Sequence, residues 1–294
     1  MVRVRIFESE PAPLRPQRPS AEAGPVAFVG AGKMGAPMVR RLLGAGIEVT
    51  LYARRPEVGE AFAALGARSA GSVAEAVAAA QVVICCLFNE QQVEEVLLGA
   101  GGLIASAAPG TVLVNHTTVG LNVLAELERA AAGGGVLLLD APVSGAPGDI
   151  DDGQLTILLG GEEAAVDRAL PVLAAYGNVV PAGGVGSASR VKLVNNLLYA
   201  VNAQTAAAAA LLAQQLGVET NALFAGIMRC SAASRAMQSM LTLGSLDEFT
   251  KRGAPYLRKD VAAALRAAGE AGADAGLLAA VAKDGPLPLT ADSR

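Results

Sequence analysis

The sequence contains no tryptophan, and its aromatic share is only 3%. Stacking platforms for unpaired bases are therefore not expected. A net charge of −4 also argues against a partner held by phosphate neutralisation, so no nucleic-acid partner is expected. Three cysteines, two of them adjacent at Cys85 and Cys86, make neither a disulfide framework nor a zinc pattern, and no metal is expected. They read as small core residues in a reducing compartment, the cytoplasm. His116 is the sole histidine and has no acid beside it in the sequence, which disfavours a Ser-His-Asp hydrolase. The apolar run Val82–Phe88 is too short to span a bilayer, so no membrane partner is expected either. Residues 1–24 carry Arg, Glu and Pro without the apolar centre of a signal peptide, and they read as a mobile leader.

Hydrophobic residues make up 52% of the 294 positions and charged residues 17%, enough for one large core or two ordinary ones. The organising stretch is Pro25-Val-Ala-Phe-Val-Gly30-Ala31-Gly32-Lys33-Met34-Gly35. It is a β-rich run, then G-x-G-x-x-G, then an amphipathic run through Met38, Leu42 and Leu43. Each glycine has its own task. Gly30 permits a sharp turn off the strand, Gly32 lets a pyrophosphate approach the backbone, and Gly35 lets the helix lie close to the sheet. The helix N-terminus offers N–H groups and a positive dipole end to the phosphates.

From Pro25 to about Pro181, β-rich runs alternate with helical ones. Strands are expected at Val26–Val29, Glu48–Tyr52, Val82–Leu87, Thr111–Val114, Val136–Leu139, Leu155–Leu159 and Val179–Val180. Helices are expected at Met34–Leu43, Val58–Leu65, Val73–Ala80, Gln92–Leu98, Leu121–Ala132 and Ala164–Ala175. This alternation predicts an α/β fold, a doubly wound parallel sheet of Rossmann type, with the last strands able to run antiparallel at one edge. After Gly186 no β-rich run recurs, and an all-α C-terminal domain is expected over 187–294, following a cofactor domain over 25–186. The two are joined by a long interdomain helix from Ser187 to Leu216, of roughly 30 residues and about 45 Å. Further helices are expected near 219–228, 233–242, 255–269 and 274–283.

The first half of the long helix is apolar nearly all round, which predicts burial. One polar strip interrupts it: Lys192, Asn195, Asn196, Tyr199 and Asn202, at i, i+3, i+4, i+7 and i+10. Such groups need partners or a wet cavity. A partly desolvated lysine has a pKa nearer neutrality and suits general acid/base work, so Lys192 is the candidate, with Asn196 one turn on as its helper. Two loops after strand ends, Asn115-His116-Thr117-Thr118 and Asp140-Ala-Pro-Val-Ser144-Gly145-Ala146-Pro147, have hydroxyls and backbone N–H groups suited to a small carboxylate. At the end of the second strand, Arg54 and Arg55 stand where NAD enzymes usually place an acid. Two guanidinium groups suit a 2′-phosphate, so NADP(H) is preferred and NAD(H) remains possible.

These residues resemble the β-hydroxyacid dehydrogenases typified by 3-hydroxyisobutyrate dehydrogenase, from about Pro25 to the late 280s. Gly30, Gly32, Met34, Gly35 and Met38 match the opening motif, and Asp140-Ala-Pro-Val-Ser-Gly145 matches the substrate motif. Lys192, Asn195 and Asn196 match the catalytic motif, and Lys259-Asp260 matches a late pair that reaches the nicotinamide region in relatives. The resemblance implies an oxidoreductase interconverting a small 3-hydroxy acid and its semialdehyde, with Lys192 and Asn196 catalytic. It implies substrate contacts at Thr117, Ser144, Gly145 and Ala146. Cofactor contacts are implied over Gly30–Gly35 and at Arg54, Arg55, Leu87, Asn89, Thr117 and Lys259. A homodimer through the helical domain is implied as well.

Departures from the family pattern bear on the substrate more than on the reaction. Ala188 replaces a glycine, Asn115 an aspartate, Thr117 a serine, Ala146 a glycine, Phe88 a proline, and Ala208 a glutamate common in the long helix. An imine reductase shares the fold, but that group generally replaces this lysine. A non-catalytic NADP-binding sensor is the other alternative, and intact Lys192, Asn195 and Asn196 count against it.

Overall fold

The computed structural model describes residues 24–290. The leader expected over 1–24 lies, except for Gly24, outside them. Strand β1 (Val26–Val29) is buried along its whole length. Its side chains alternate between two cores, because successive Cβ atoms of a strand point to opposite faces. Val26 and Phe28 pack into one core with Met38, Val39 and Leu42. Ala27 and Val29 pack into the other with Val77, Leu124 and Leu127. A strand covered on both faces needs a near-continuous apolar sequence, and Val-Ala-Phe-Val supplies it.

The central parallel strands follow the same rule, while the two-residue edge strand Arg68–Ser69 is exposed. In chain order the remaining parallel strands are β2 (Val49–Tyr52), β3 (Arg68–Ser69), β4 (Val82–Cys85), β5 (Val112–Asn115) and β6 (Leu137–Asp140). Between them run α1 (Gly35–Gly44), α2 (Pro56–Ala63), α3 (Val73–Val77), α4 (Glu90–Val93), a π-helical turn at Glu94–Leu98, α5 (Leu103–Ser106) and α6 (Leu121–Gly133). Strand order across this part is β3-β2-β1-β4-β5-β6, all parallel. Order therefore reverses between β1 and β4, the position at which open α/β sheets bind ligands.

Beyond β6 come β7 (Val143–Ser144), α7 (Pro147–Asp151), β8 (Leu155–Gly160), α8 (Glu163–Leu173) and β9 (Gly177–Gly183). β8 runs antiparallel to β6 through Asp140 and Gly160, and to β7 through Val143 with Ile157 and Ser144 with Thr156. All three pairs share one register, and the Leu158 N–H donates to the Pro142 carbonyl between them. β6 and β7 thus form one interrupted edge for β8, while β9 pairs parallel to β8. The antiparallel edge expected from the sequence is present.

Four short elements were not anticipated: β3, α5, β7 and α7. Each has two to five residues, too few to show periodicity. The helix expected over 255–269 is instead α12 (Leu246–Glu270). Ser245 caps it by accepting from the Glu248 N–H at 3.1 Å. Pro255 lies inside this helix.

The chain divides into two compact units, the first ending at Lys192 and the second beginning at Leu193. The division falls inside α9 (Ser187–Gln215), the long helix the sequence predicts. The second unit adds α10 (Thr220–Ile227), α11 (Arg235–Leu243), α12 and α13 (Gly276–Asp284). Within it, buried Gln204 of α9 donates to the carbonyls of Ala282 and Leu287 and accepts from the Leu287 N–H at 2.7 Å, fastening the segment after α13. No helix among the described residues is long and apolar enough to cross a membrane.

Candidate active site

The turns after β1, β2 and β4 enclose a cleft of about 400 Å³. Gly30, Ala31 and Gly32 line one side and Arg54 and Arg55 another, with Val58, Leu87 and Val96 as apolar wall. Gly30 has φ +101°, a conformation that disfavours any side chain, and a Cβ there would strike the Cys86 carbonyl. At Gly35 a Cβ would strike the Gly30 carbonyl and lie 3.0 Å from Phe28, so helix and strand pack with no room for a methyl group. A Cβ on Gly32 meets no protein atom within 4 Å, so that side of the backbone is open. The first helical bond of α1 runs from the Ala36 N–H to the Gly32 carbonyl. No side chain caps the helix and no acid lies in its first turn. An open backbone, a free helix N-terminus and two guanidinium groups in one cleft fit a dinucleotide.

Not every expected cofactor contact lines this cleft. Lys33 is exposed beside it, and Met34 packs against the core. Asn89 caps α4, its carboxamide oxygen accepting from the Gln92 N–H at 2.9 Å. Thr117 accepts from the Leu87 N–H at 2.8 Å and donates to the Leu87 carbonyl at 3.3 Å. Its hydroxyl thereby ties the loop after β5 to the cleft wall. Lys259 lies on α12 of the helical unit. Cys86 also lines the cleft, but burial pushes its thiol up to about 12, so it stays protonated and is no nucleophile.

The loop after β5 is held from within. The Asn115 side chain accepts from the Thr117 N–H and donates to the Thr117 carbonyl. His116 is buried, its Nδ1 2.6 Å from the Ala141 carbonyl and its Nε2 2.8 Å from the Tyr176 hydroxyl. A carbonyl only accepts, so Nδ1 carries the proton and Nε2 accepts from the tyrosine. Burial lowers the imidazole pKa to about 4, while the bond to Ala141 opposes that shift. His116 is thus a neutral brace between two loops rather than a proton carrier.

The second loop begins at Asp140, which is buried and binds Ser189 twice. Oδ2 accepts from the Ser189 N–H at 2.7 Å, and Oδ1 accepts from the Ser189 hydroxyl at 2.6 Å. Burial raises its pKa, while these bonds, the Gly186 backbone and the Arg190 charge act the other way. Farther along, Gly145 has φ +146° and the Ala146 N–H is taken by Asp149 at 2.6 Å. The backbone donor expected to meet a substrate at Ala146 is therefore engaged by the first turn of α7.

The polar strip of α9 divides. Lys192 is half-buried, Asn196 is buried, and Asn195 is exposed, donating to Asn196 at 3.3 Å. Tyr199 donates to Ser239 at 3.0 Å within the helical unit. The expectation of a helix buried all round is corrected: Val191, Val194 and Leu198 are 46%, 60% and 46% exposed. An apolar sequence shows a need for cover, but a single chain does not supply it here.

Comparison with known proteins decides what this arrangement belongs to. The family model of the NAD binding domain of 6-phosphogluconate dehydrogenase matches residues 25–186. The model of the NAD-binding region of NADP-dependent 3-hydroxyisobutyrate dehydrogenase matches residues 186–284. The chain belongs to the β-hydroxyacid dehydrogenase family. It is 36% identical over 214 residues to the NAD-dependent L-serine dehydrogenase of Pseudomonas aeruginosa, covering 72% of each chain. A structure of Mycobacterium tuberculosis 3-hydroxyisobutyrate dehydrogenase with L-serine superposes with a TM-score of 0.78 at 31% identity, covering 88% of this chain and 91% of that one. An imine reductase from Streptomyces aurantiacus, at 23% identity and a TM-score of 0.62, shares the fold.

This dehydrogenase therefore uses a nicotinamide cofactor. Sequence reasoning did not single out Tyr52, Val58, Gln92, Glu95 and Val96, which also line the cleft. Only Tyr52 carried a signal, as the last residue of β2. The π-helical turn that brings Glu95 and Val96 there leaves no mark in the apolar pattern.

The neutral state of His116 has a measurable consequence. Its folded pKa of about 4 lies below the ordinary imidazole value of 6.5, so the unfolded chain takes up the proton first on acidification. The associated stability is full above pH 6.5 and is lost as pH falls toward 4. Relative to a His116→Gln variant, the dehydrogenase should lose about 1.4 kcal/mol of unfolding free energy per pH unit across that window. Urea titrations at a series of pH values check this, and a constant difference between the two proteins would contradict the neutral assignment.

Proposed function

We propose that this chain is an NADP(H)-preferring dehydrogenase that interconverts a small 3-hydroxy acid and its semialdehyde, with Lys192 as general acid/base. The observation that carries the reading is the pair of bonds from Asp140 to Ser189. They join the start of the proposed substrate loop to the first turn of α9, and Lys192 lies one turn beyond Ser189. The bound nicotinamide would supply hydride to the carbonyl carbon, or take it in the reverse direction. The remaining work falls to the chain's own residues. Lys192 donates a proton to the oxygen in reduction and removes it in oxidation. Asn196, one turn on, orients that oxygen. Ser144 and Gly145 hold the substrate carboxylate, and the Ala146 N–H joins them by exchanging Asp149 for it. Thr117 contributes by fixing Leu87.

The relatives support the substrate class, since one is named for L-serine and a solved neighbour was determined with it. Serine is itself a small 3-hydroxy acid. The imine reductase reading rests on fold alone, and Lys192 counts against it.

Arg54 and Arg55 support the cofactor preference. NADPH should bind tighter than NADH, and replacing both arginines by Ala should remove most of that preference. One lost charge-assisted contact is worth about 1.5–3 kcal/mol, or roughly 10–150-fold in affinity. Fluorescence titration with both cofactors checks it, and equal affinities in the parent protein refute the assignment.

Turnover decides the role of Lys192. With 3-hydroxyisobutyrate and L-serine as probes, Lys192→Ala should lower kcat by roughly 10²–10⁴-fold, the usual worth of a general acid or base, with cofactor affinity unchanged. Lys192→Arg should not rescue it, because a guanidinium stays protonated and cannot cycle the proton. Parent-like turnover in Lys192→Ala would place the acid elsewhere.

A homodimer is part of the same proposal. Val191, Val194 and Leu198, with Leu211 and Leu212 farther along α9 and Leu216 just past its end, leave apolar side chains exposed that a second copy would cover. Light scattering should give twice the chain mass, and a monomer mass at micromolar concentration would remove this part of the reading.

A further inference from the structure

We infer that Asp140 is a positioning residue, a buried carboxylate that sets the first turn of α9 and through it the place of Lys192. The inference rests on the reading of Lys192 as the general acid/base.

The first turn of α9 has no acid of its own, and the chain enters it through Gly183 and Gly186, both at positive φ. The leading N–H groups of a helix have no acceptor within the helix. Asp140 supplies one from outside. It is 1% exposed and so is Ser189, and both carboxylate oxygens are engaged by that single residue. Charge-assisted bonds of 2.6 and 2.7 Å to one residue fix rotation and depth of the helix together.

A second contact limits movement of the same turn. Gly160, which pairs with Asp140 across β6 and β8, lies under the same turn. A Cβ there would stand 2.6 Å from the Gly184 carbonyl and 3.3 Å from the Ala188 nitrogen. The helix start therefore rests on the end of β8 with no room for a methyl group, while Asp140 draws it down. Ser189 and Lys192 are three residues apart, so they share a face separated by about one turn. A shift of the first turn moves the lysine by a similar distance. Displacements near 1 Å in a reacting group cost on the order of 10²-fold in rate.

Ser189→Ala removes one of the two bonds and leaves the N–H contact, so it is the mild variant; Asp140→Ala removes both. With 3-hydroxyisobutyrate as probe, Ser189→Ala should lower kcat about tenfold and Asp140→Ala more, with cofactor Kd by fluorescence titration within about twofold of the parent. Each substitution is then repeated in a Lys192→Ala background at high enzyme concentration. A residue acting through Lys192 should leave that residual turnover unchanged, whereas a general structural defect lowers it again by the same factor. Should Asp140→Ala fail to fold, the Ser189→Ala cycle alone decides. Parent-like kcat in Ser189→Ala, or equal losses in both backgrounds, overturns the positioning role while leaving Lys192 as the acid. Full turnover in Lys192→Ala by itself overturns the reading beneath it.

Discussion

Parallel strands carry every following loop to one edge of the sheet, and that constraint organises this molecule. β1 and β4 are neighbours, yet β1 is also paired to β2 and β4 to β5, so the chain leaves their ends in opposite directions. A crevice opens between the two departing loops. The cleft lined by Gly30, Gly32, Arg54 and Leu87 is that crevice. Its floor depends on two absent methyl groups. Gly30 and Gly35 bring the turn, the strand and α1 together closely enough that the helix N-terminus is left bare for a ligand.

Buried polar groups fix how the loops around the cleft are held. Water is excluded from them, so each must find its bonds within the protein. Among the described residues none of the buried side-chain nitrogen or oxygen atoms lacks a partner. His116 braces the loop after β5 against Tyr176, Thr117 ties that loop to Leu87, and Asp140 ties the loop after β6 to α9. Chemistry-bearing elements are thus joined by polar bonds, while apolar contact holds the layers behind them. Removing one partner from such a bond costs more than the bond is worth, because the other is stranded in a dry place.

Much of the dinucleotide half was legible beforehand. Apolar runs such as Val26–Val29 and Val82–Cys85 are short, β-rich and bounded by turn residues, so strand and sheet class follow. The glycine turn was legible because its spacing and its strand-to-helix context agree. Less was legible where a short element borrows its stability from neighbours. β7 has two residues and exists because β8 lies beside it in register with β6. The exposed face of α9 was misjudged for a related reason: Val191, Val194 and Leu198 carry a hydrophobic signal, and burial depends on what stands opposite.

The candidate site shows the same division. The residue types and spacings of Lys192, Asn196, Ser144 and the glycines were settled by the sequence, because local rules of helix face and turn conformation act over a few residues. Tertiary structure decided what those residues touch. Nothing in the string of letters says that Asp140 meets Ser189. Nor does it say that the lone histidine is walled in by Tyr176. Asp140 and Ser189 lie 49 residues apart, and His116 and Tyr176 lie 60 apart. Such pairs meet only once the strands have registered. Local sequence determines conformation, and the closing of the sheet determines which buried polar groups find each other.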